Sequence, residues 1–254
     1  MTNDLEAWVS GPGASLELAP QDCASRVDAA MRRLRRVWGT DTPIHVVDTA
    51  AIGARVAAGT GASFLSWVGR RDLERRPAVA VVGTRGVDMA TARRIEAWLD
   101  TLAMQTRVDL VSGGALGVDT LAHRTWMRHG LPVTVVLAGG LAFPSPGSNR
   151  EDFRQIAAAD GAVVSDRPPL ASPQSYDFVR RNRLIAALAD VVVVAAAPVG
   201  SGALATAAYA VDLGRPVLVL PGAFDDPLFA GAAALLRRGA RVCIEPVEIG
   251  RAHV

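Results

Sequence analysis

Lysine is missing from this sequence: all 27 fixed cations among its 254 residues are arginines. A phosphate loop of the G-x-x-x-x-G-K-[ST] kind needs that lysine, so a P-loop nucleotide hydrolase is excluded. Cysteine is nearly as scarce. Cys23 and Cys243 stand far apart, match no metal or redox spacing, and read as two reduced thiols. Aromatic residues make up only 5% of the chain, which leaves little material for a base-stacking surface. No apolar run approaches the ~20 residues of a membrane-spanning helix. The opening Met-Thr-Asn-Asp-Leu-Glu is acidic where a secretion signal needs positive charge. A soluble, cytoplasmic protein without a membrane partner is expected. Net charge is close to balance at +2, too little to mark a nucleic-acid protein by composition alone. Half of the residues are hydrophobic and 20% are charged, so the chain has ample material for a core.

Catalytic patterns are missing as well. The turn Gly83-Thr-Arg-Gly86 lacks the G-x-G-x-x-G spacing of a dinucleotide site, which argues against NAD. Ser112, Asp119 and His123 invite a triad reading, but all three fall on one loop and helix and no G-x-S-x-G elbow accompanies them. The four histidines, His45, His123, His129 and His253, show no metal-ligand pairing. Asp166 stands at a strand end without a partner acid. No enzyme activity, cofactor or metal is expected.

What is present centres on Ser175 to Ala208. Phe178-Val-Arg-Arg-Asn-Arg-Leu-Ile185 opens a helix, Val191 to Val194 form a run of four valines, and Gly200-Ser-Gly-Ala-Leu-Ala-Thr-Ala207 follows. A β-branched run bounded by breakers suits a parallel strand buried on both faces. A loop of small residues after such a strand leaves backbone N–H groups free at a helix N-terminus, where an anion can sit.

The same alternation recurs along the chain. Strands are expected at 78–82, 108–111, 133–137, 162–164, 191–194 and 217–220, with helices at Met89–Met104, to about His129, near Glu151–Ala159 and up to about Arg238. This βα alternation predicts an α/β fold with a doubly wound, mainly parallel sheet over 77–245. A short N-terminal appendage (1–76) precedes it and a tail (246–254) follows. Within the appendage, residues 1–20 read as a loose lead-in. A helix carries Cys23, Val27, Met31, Leu34 and Trp38 on one face and Arg32, Arg33, Arg35 and Arg36 on the other, solvated, face. Ile44–Val47 then reads as a strand and Thr49–Ala58 as a short helix. Gly, Ser, Thr or Pro follows almost every strand at its carboxyl end, so these loops should crowd round one crevice. Thr84, Arg85, Ser112, Asp119, Asn182, Arg183, Ser201 and Thr206 are expected to point into it, a lining rich in donors as a phosphate site requires.

At these loops the sequence resembles the DNA-processing protein A family (DprA, also called Smf). Val82-Gly-Thr-Arg85 is similar to the family's V-G-S-R turn, and Trp67-Val-Gly-Arg-Arg-Asp-Leu73 to the approach before it. Ser112-Gly-Gly-Ala-Leu-Gly-Val-Asp119 with Ala122-His123 is similar to S-G-x-A-x-G-I-D-x-x-A-H. Phe178 to Ile185 resembles F-P-x-R-N-R-I-I, Ser201 to Ala207 resembles S-G-S-L-x-T-A, and Pro221-Gly222 fits the last strand end. Departures are Val179 for proline, Ser145-Pro146 for Tyr-Pro, Asp166 for glutamate, and Ala196 where an acid is usual. The resemblance implies an extended Rossmann-like fold, often a homodimer, that binds single-stranded DNA and hands it to a RecA-type recombinase during natural transformation, without catalysis. It assigns DNA phosphates to Gly83, Thr84, Arg85, Ser112, Gly113, Gly117, Asp119, His123, Arg181, Asn182, Arg183, Ser201, Gly202 and Thr206. The alternative is a sensor of nucleotides or nucleoside phosphates with the same fold and no DNA role. A third possibility is a protein-interaction module that keeps the fold alone.

Overall fold

The computed structural model describes residues 20–52, 54–70, 73, 77–223, 225–246 and 248–251. The expected lead-in at 1–20 lies almost wholly outside them, as do residues 252–254 and the Cys23 side chain. Strands β1 (Ile44–Asp48), β2 (Phe64–Gly69), β3 (Ala78–Gly83), β4 (Asp109–Ser112), β5 (Val133–Val136), β6 (Ala162–Ser165), β7 (Val191–Ala196), β8 (Val217–Val219) and β9 (Arg241–Val242) join one sheet. The helices are α1 (Pro20–Trp38), α2 (Ala54–Gly59), α3 (Met89–Thr106), α4 (Val118–Arg128), α5 (Arg150–Ala158), α6 (Ser175–Leu188), α7 (Gly202–Asp212), α8 (Ala230–Arg237) and α9 (Glu248–Arg251).

The strand order is β1-β2-β6-β5-β4-β3-β7-β8-β9. Pairing is parallel from β6 through to β9, and antiparallel where β2 meets β6 and β1 meets β2. The doubly wound, mainly parallel sheet read from the sequence is therefore the fold. β2 was not among the expected strands. Its Phe-Leu-Ser-Trp-Val-Gly run hydrogen-bonds between β1 and β6, so residues 44–69 extend the same sheet.

Alternate residues of each strand feed opposite cores, as the two-residue period of a strand demands. Val191, Val193 and Ala195 of β7 join Val79 and Val81 of β3 under α1, α3, α4 and α5. Val192 and Val194 join Ala80 and Val82 under α2, α6, α7 and α8. All six residues of β7 are buried, which is why the run reads as unbroken valine and alanine rather than alternating. Capping fixes the helix between β3 and β4: Asp88 Oδ1 accepts from the N–H groups of Ala90 and Thr91, both at 2.9 Å. Cys243 is buried and unbridged, and burial pushes its thiol up to about 12, so it is no nucleophile at neutral pH. Among the described residues no helix is long and apolar enough to cross a membrane.

Helix α1 docks on the sheet through Ala30, Leu34 and Trp38, and the Trp38 indole N–H donates to the Leu141 carbonyl at 2.9 Å. Leu34 is wholly buried there. Leu34→Ala should therefore lower the unfolding free energy by about 2–5 kcal/mol in urea titration. A loss under about 0.5 kcal/mol, the range of surface changes, would mean that α1 does not share the core in solution.

Candidate functional site

Strand order reverses at β3, which has β4 on one side and β7 on the other. At such a switch point the following loops part and leave a crevice beyond the carboxyl ends. A pocket of about 350 Å³ lies there. The end of β3 lines it with Gly83, Thr84 and Arg85, α6 with Phe178, Val179, Arg181, Asn182 and Ile185, and α7 with Ser201, Gly202, Ala203 and Thr206. Ala115 and Asp119 complete the wall from the β4–α4 segment, and Pro198 from the β7–α7 loop.

Close backbone packing builds this wall. The Thr84 N–H donates to Ala196 O at 2.7 Å, and the Val118 N–H donates to Thr84 O at 3.2 Å. Gly117 makes the second contact possible. Its φ of +75° is a left-handed conformation, and a Cβ there would stand 2.3 Å from Thr84 O. Gly83 is held by the same crowding, since a Cβ would meet Val118 at 2.5 Å.

Arg181 ties the floor together. It is buried, and its Nη1 donates to Gly113 O at 2.5 Å and to Val136 O, reaching the ends of both β4 and β5. Its Nε donates to Asn182 Oδ1 at 3.3 Å, and Asn182 Nδ2 donates to Gly202 O at 3.1 Å, which connects α6 to α7. Asp119 lies buried close by and accepts from the Ala115 N–H at 3.2 Å. A Cβ on Gly113 would stand 2.7 Å from Asp119 Oδ2 and 3.0 Å from Arg181 Cζ, so only glycine passes between the two charges. Burial pushes the Asp119 carboxyl up, while the Arg181 guanidinium and the Ala115 and Gly113 N–H groups draw it back. Burial also lowers Arg181 to about 10, which leaves it charged at neutral pH.

Above this floor the crevice is open. Arg85 is exposed, with its guanidinium 5.5 Å from the Phe178 ring centroid. Ser201 caps α7, its Oγ accepting from the Ala203 N–H at 3.3 Å, so the positive end of that helix dipole borders the pocket. Thr84 Oγ1 accepts from the Gly86 N–H at 3.2 Å and Thr206 is buried on the α7 side.

Three residues expected at the crevice sit elsewhere. Ser112 is fully buried and its Oγ accepts from the Gly114 N–H at 3.0 Å, shaping the turn from beneath. His123 is also buried, but between α4 and α5. Its Nε2 lies 3.0 Å from Asp152 Oδ2, which also accepts from Arg124 Nε at 2.8 Å, and its ring meets the Phe153 ring edge-on at 6.1 Å. Arg183 is exposed outside the pocket, on the side where its backbone passes Gly59 of α2. Two residues beyond Arg181 is about 200° round a helix, so only one of these arginines can face the crevice.

Asp166 and Asp177 pair with arginines, but with Arg180 and Arg167 rather than with those expected at the crevice. Asp166 accepts from Arg180 Nη2 at 2.7 Å and from Thr60 Oγ1 at 2.9 Å. Asp177 caps α6 by accepting from the Gln174 N–H at 2.9 Å, and pairs with Arg167 at 3.4 Å and Arg180 at 3.7 Å. The i,i+3 spacing of Asp177 and Arg180 was the available signal. Asn149 was missed: its Nδ2 donates to Gly114 O at 3.0 Å and to Thr120 Oγ1 at 2.8 Å, joining two strand-end loops.

Two outcomes follow from this geometry. Gly117→Ala places a side chain against backbone at a positive φ and should cost about 1–3 kcal/mol or more in urea unfolding. An unchanged midpoint would contradict the contact with Thr84. His123 is held below its ordinary value near 6.5, chiefly by burial and against the pull of Asp152. As pH falls, the unfolded chain takes up that proton first. The contribution of His123 is therefore complete above about pH 6.5 and is lost toward lower pH. His123→Gln should flatten the fall in stability between about pH 6.5 and 5. Equal slopes for the two proteins would refute this.

Known proteins share this fold. An X-ray structure of DNA processing protein A from Streptococcus pneumoniae superposes with a TM-score of 0.75 at 27% identity, covering 94% of this chain and 83% of that one. DNA processing protein A from Helicobacter pylori, whose structure addresses its single-stranded DNA binding mode, gives 0.71 at 25% identity over 83% of this chain and 96% of that one. In sequence, the Streptococcus pneumoniae protein is 34% identical over 179 residues, which is 70% of this chain and 62% of the relative. A Mycobacterium tuberculosis protein named for DprA is 38% identical over 172 residues, 68% of this chain. That match spans 44% of the relative, so the chain covers about half the length of such proteins. The family model described as DNA recombination-mediator protein A matches residues 52–252, and the chain belongs to that family.

Proposed function

We propose that this chain binds single-stranded DNA by its phosphates in the crevice between β3 and β7 and presents the strand to a RecA-type recombinase, acting as a homodimer and without catalysis. The observation that carries the reading is one pocket in which exposed Arg85 stands beside the capped N-terminus of α7. Its one lining carboxylate, Asp119, is buried next to Arg181. Asp166 and Asp177 engage Arg180 and Arg167, and among the described residues Arg85 makes no ion pair, although its charge acts on the buried Asp119. Phosphates are the natural partner of a guanidinium and helix N–H groups together. Among the described residues that line the pocket, no nucleophile has an adjacent base, which supports binding rather than turnover. A volume of about 350 Å³ also suits a single nucleotide, so the small-ligand reading keeps one supporting observation.

Binding of oligo-dT, followed by fluorescence anisotropy across about 50–200 mM salt, separates these readings. Each phosphate contact on a single strand contributes about 0.7 to the slope of log K against log salt. Arg85→Ala should weaken binding to all sequences alike and remove roughly one such contact. Arg183→Ala, outside the pocket, should leave affinity and slope unchanged. Equal slopes for wild-type and Arg85→Ala proteins would refute the crevice as the DNA site. Displacement of oligo-dT by a nucleoside monophosphate at equal molarity would favour the small-ligand reading.

A further inference from the structure

The crevice leaves the basic helix α1 unused, and α1 ends beside the same carboxyl edge of the sheet. We infer that a bound single strand continues from the crevice to a second station on that helix, formed by Arg33 and Arg36 with the ring of Phe143. The inference rests on the crevice being the DNA site and extends it by naming the path.

Helix phase puts the cations together. At 100° per residue, Arg26 and Arg33 fall on one flank of the buried stripe formed by Ala30, Leu34 and Trp38, and Arg36 lies about 60° further round on the same side, toward solvent. All three arginines are exposed. Arg33 places its guanidinium 5.5 Å from the Phe143 ring centroid, which is half-buried in the loop after β5. This repeats the Arg85 and Phe178 pairing, also at 5.5 Å, that stands in the crevice. Two cation-topped rings on one edge offer the same partner a phosphate contact beside an aromatic face.

The two stations are joined by rigid structure. Arg181 in the pocket donates to Gly113 O, and the next carbonyl, Gly114 O, accepts from Asn149 Nδ2 at 3.0 Å. Asn149 closes the segment that begins at Phe143. From β3 to β5 is two strand steps, on the order of 10 Å. The Trp38 bond to Leu141 O fixes the end of α1 on this loop, and Arg154 Nε of α5 donates to Val37 O at 2.8 Å. Among the described residues Arg33, Arg36 and Arg150 form no ion pair, and the acid near Arg154 is exposed Glu151 at 3.7 Å. A merely solvated face explains the charge of α1 but not why one of its arginines lies over the ring of another loop.

Oligonucleotide length separates this inference from the reading beneath it. Wild-type protein, Arg33→Ala/Arg36→Ala and Phe143→Leu are titrated in a salt series with oligo-dT of about 2 nucleotides, too short at about 3.4 Å per nucleotide to reach both stations, and of about 24 nucleotides. The double variant should bind the short strand as wild type does. On the long strand it should lose about tenfold in affinity and about 1.4 in salt slope, two contacts at 0.7 each. Phe143→Leu should weaken the long strand about threefold and spare the short one. A double variant that keeps the wild-type slope on the long strand overturns the second station. If Arg85→Ala leaves the short strand unaffected, the crevice reading itself fails. Both changes in the double variant are on exposed side chains, so an unchanged thermal midpoint should accompany the loss.

Discussion

One buried guanidinium holds the carboxyl edge of this sheet together. Arg181 spends its donors on carbonyls at the ends of β4 and β5 and, through Asn182, reaches the first turn of α7. A charge in that position is tolerated only because it is hydrogen-bonded and has Asp119 close by. A planar fork can serve two carbonyls and a side-chain amide at once, while an ammonium group is a compact point charge on a flexible stem.

The surrounding glycines follow from that choice. Gly113 lets Asp119 and Arg181 approach across it, and Gly117 and Gly83 let the β3 turn wedge between α4 and β7. With the floor neutralised from within, charge is distributed by layer: Arg181 and Asp119 below, Arg85 and the end of α7 above. Arg180 and Arg167 go to Asp166 and Asp177 instead. The acids thus draw off arginines adjacent in sequence, and among the described residues of the crevice Arg85 stands over the Phe178 ring without an ion pair.

Much of this was legible from residue order. The four-valine run announced a strand covered on both faces, and the Gly-Ser-Gly that follows announced the open end of a helix. What escaped depended on direction rather than identity. Arg181 and Arg183 look equivalent as letters, and only the helical phase sends one inward and the other toward α2. Ser112 ends β4 and His123 lies in α4, both close to the crevice in sequence, yet their side chains turn beneath it and away from it because the turn at Gly113 and the packing of Phe153 need them there. β2 escaped because its aromatic run sits where two antiparallel neighbours supply its partners, and the βα rhythm of the chain gives no sign of them.

The switch point has β3 at one wall and β7 at the other, with six strands on one side and three on the other. Backbone amides in strands so enclosed exchange with solvent only when the whole unit opens. A ligand held by their carboxyl ends, and bound by the folded form alone, slows that opening by the free energy of its own binding. Occupancy of the crevice is thereby written into the hydrogen exchange of the central strands, far from any surface the ligand touches.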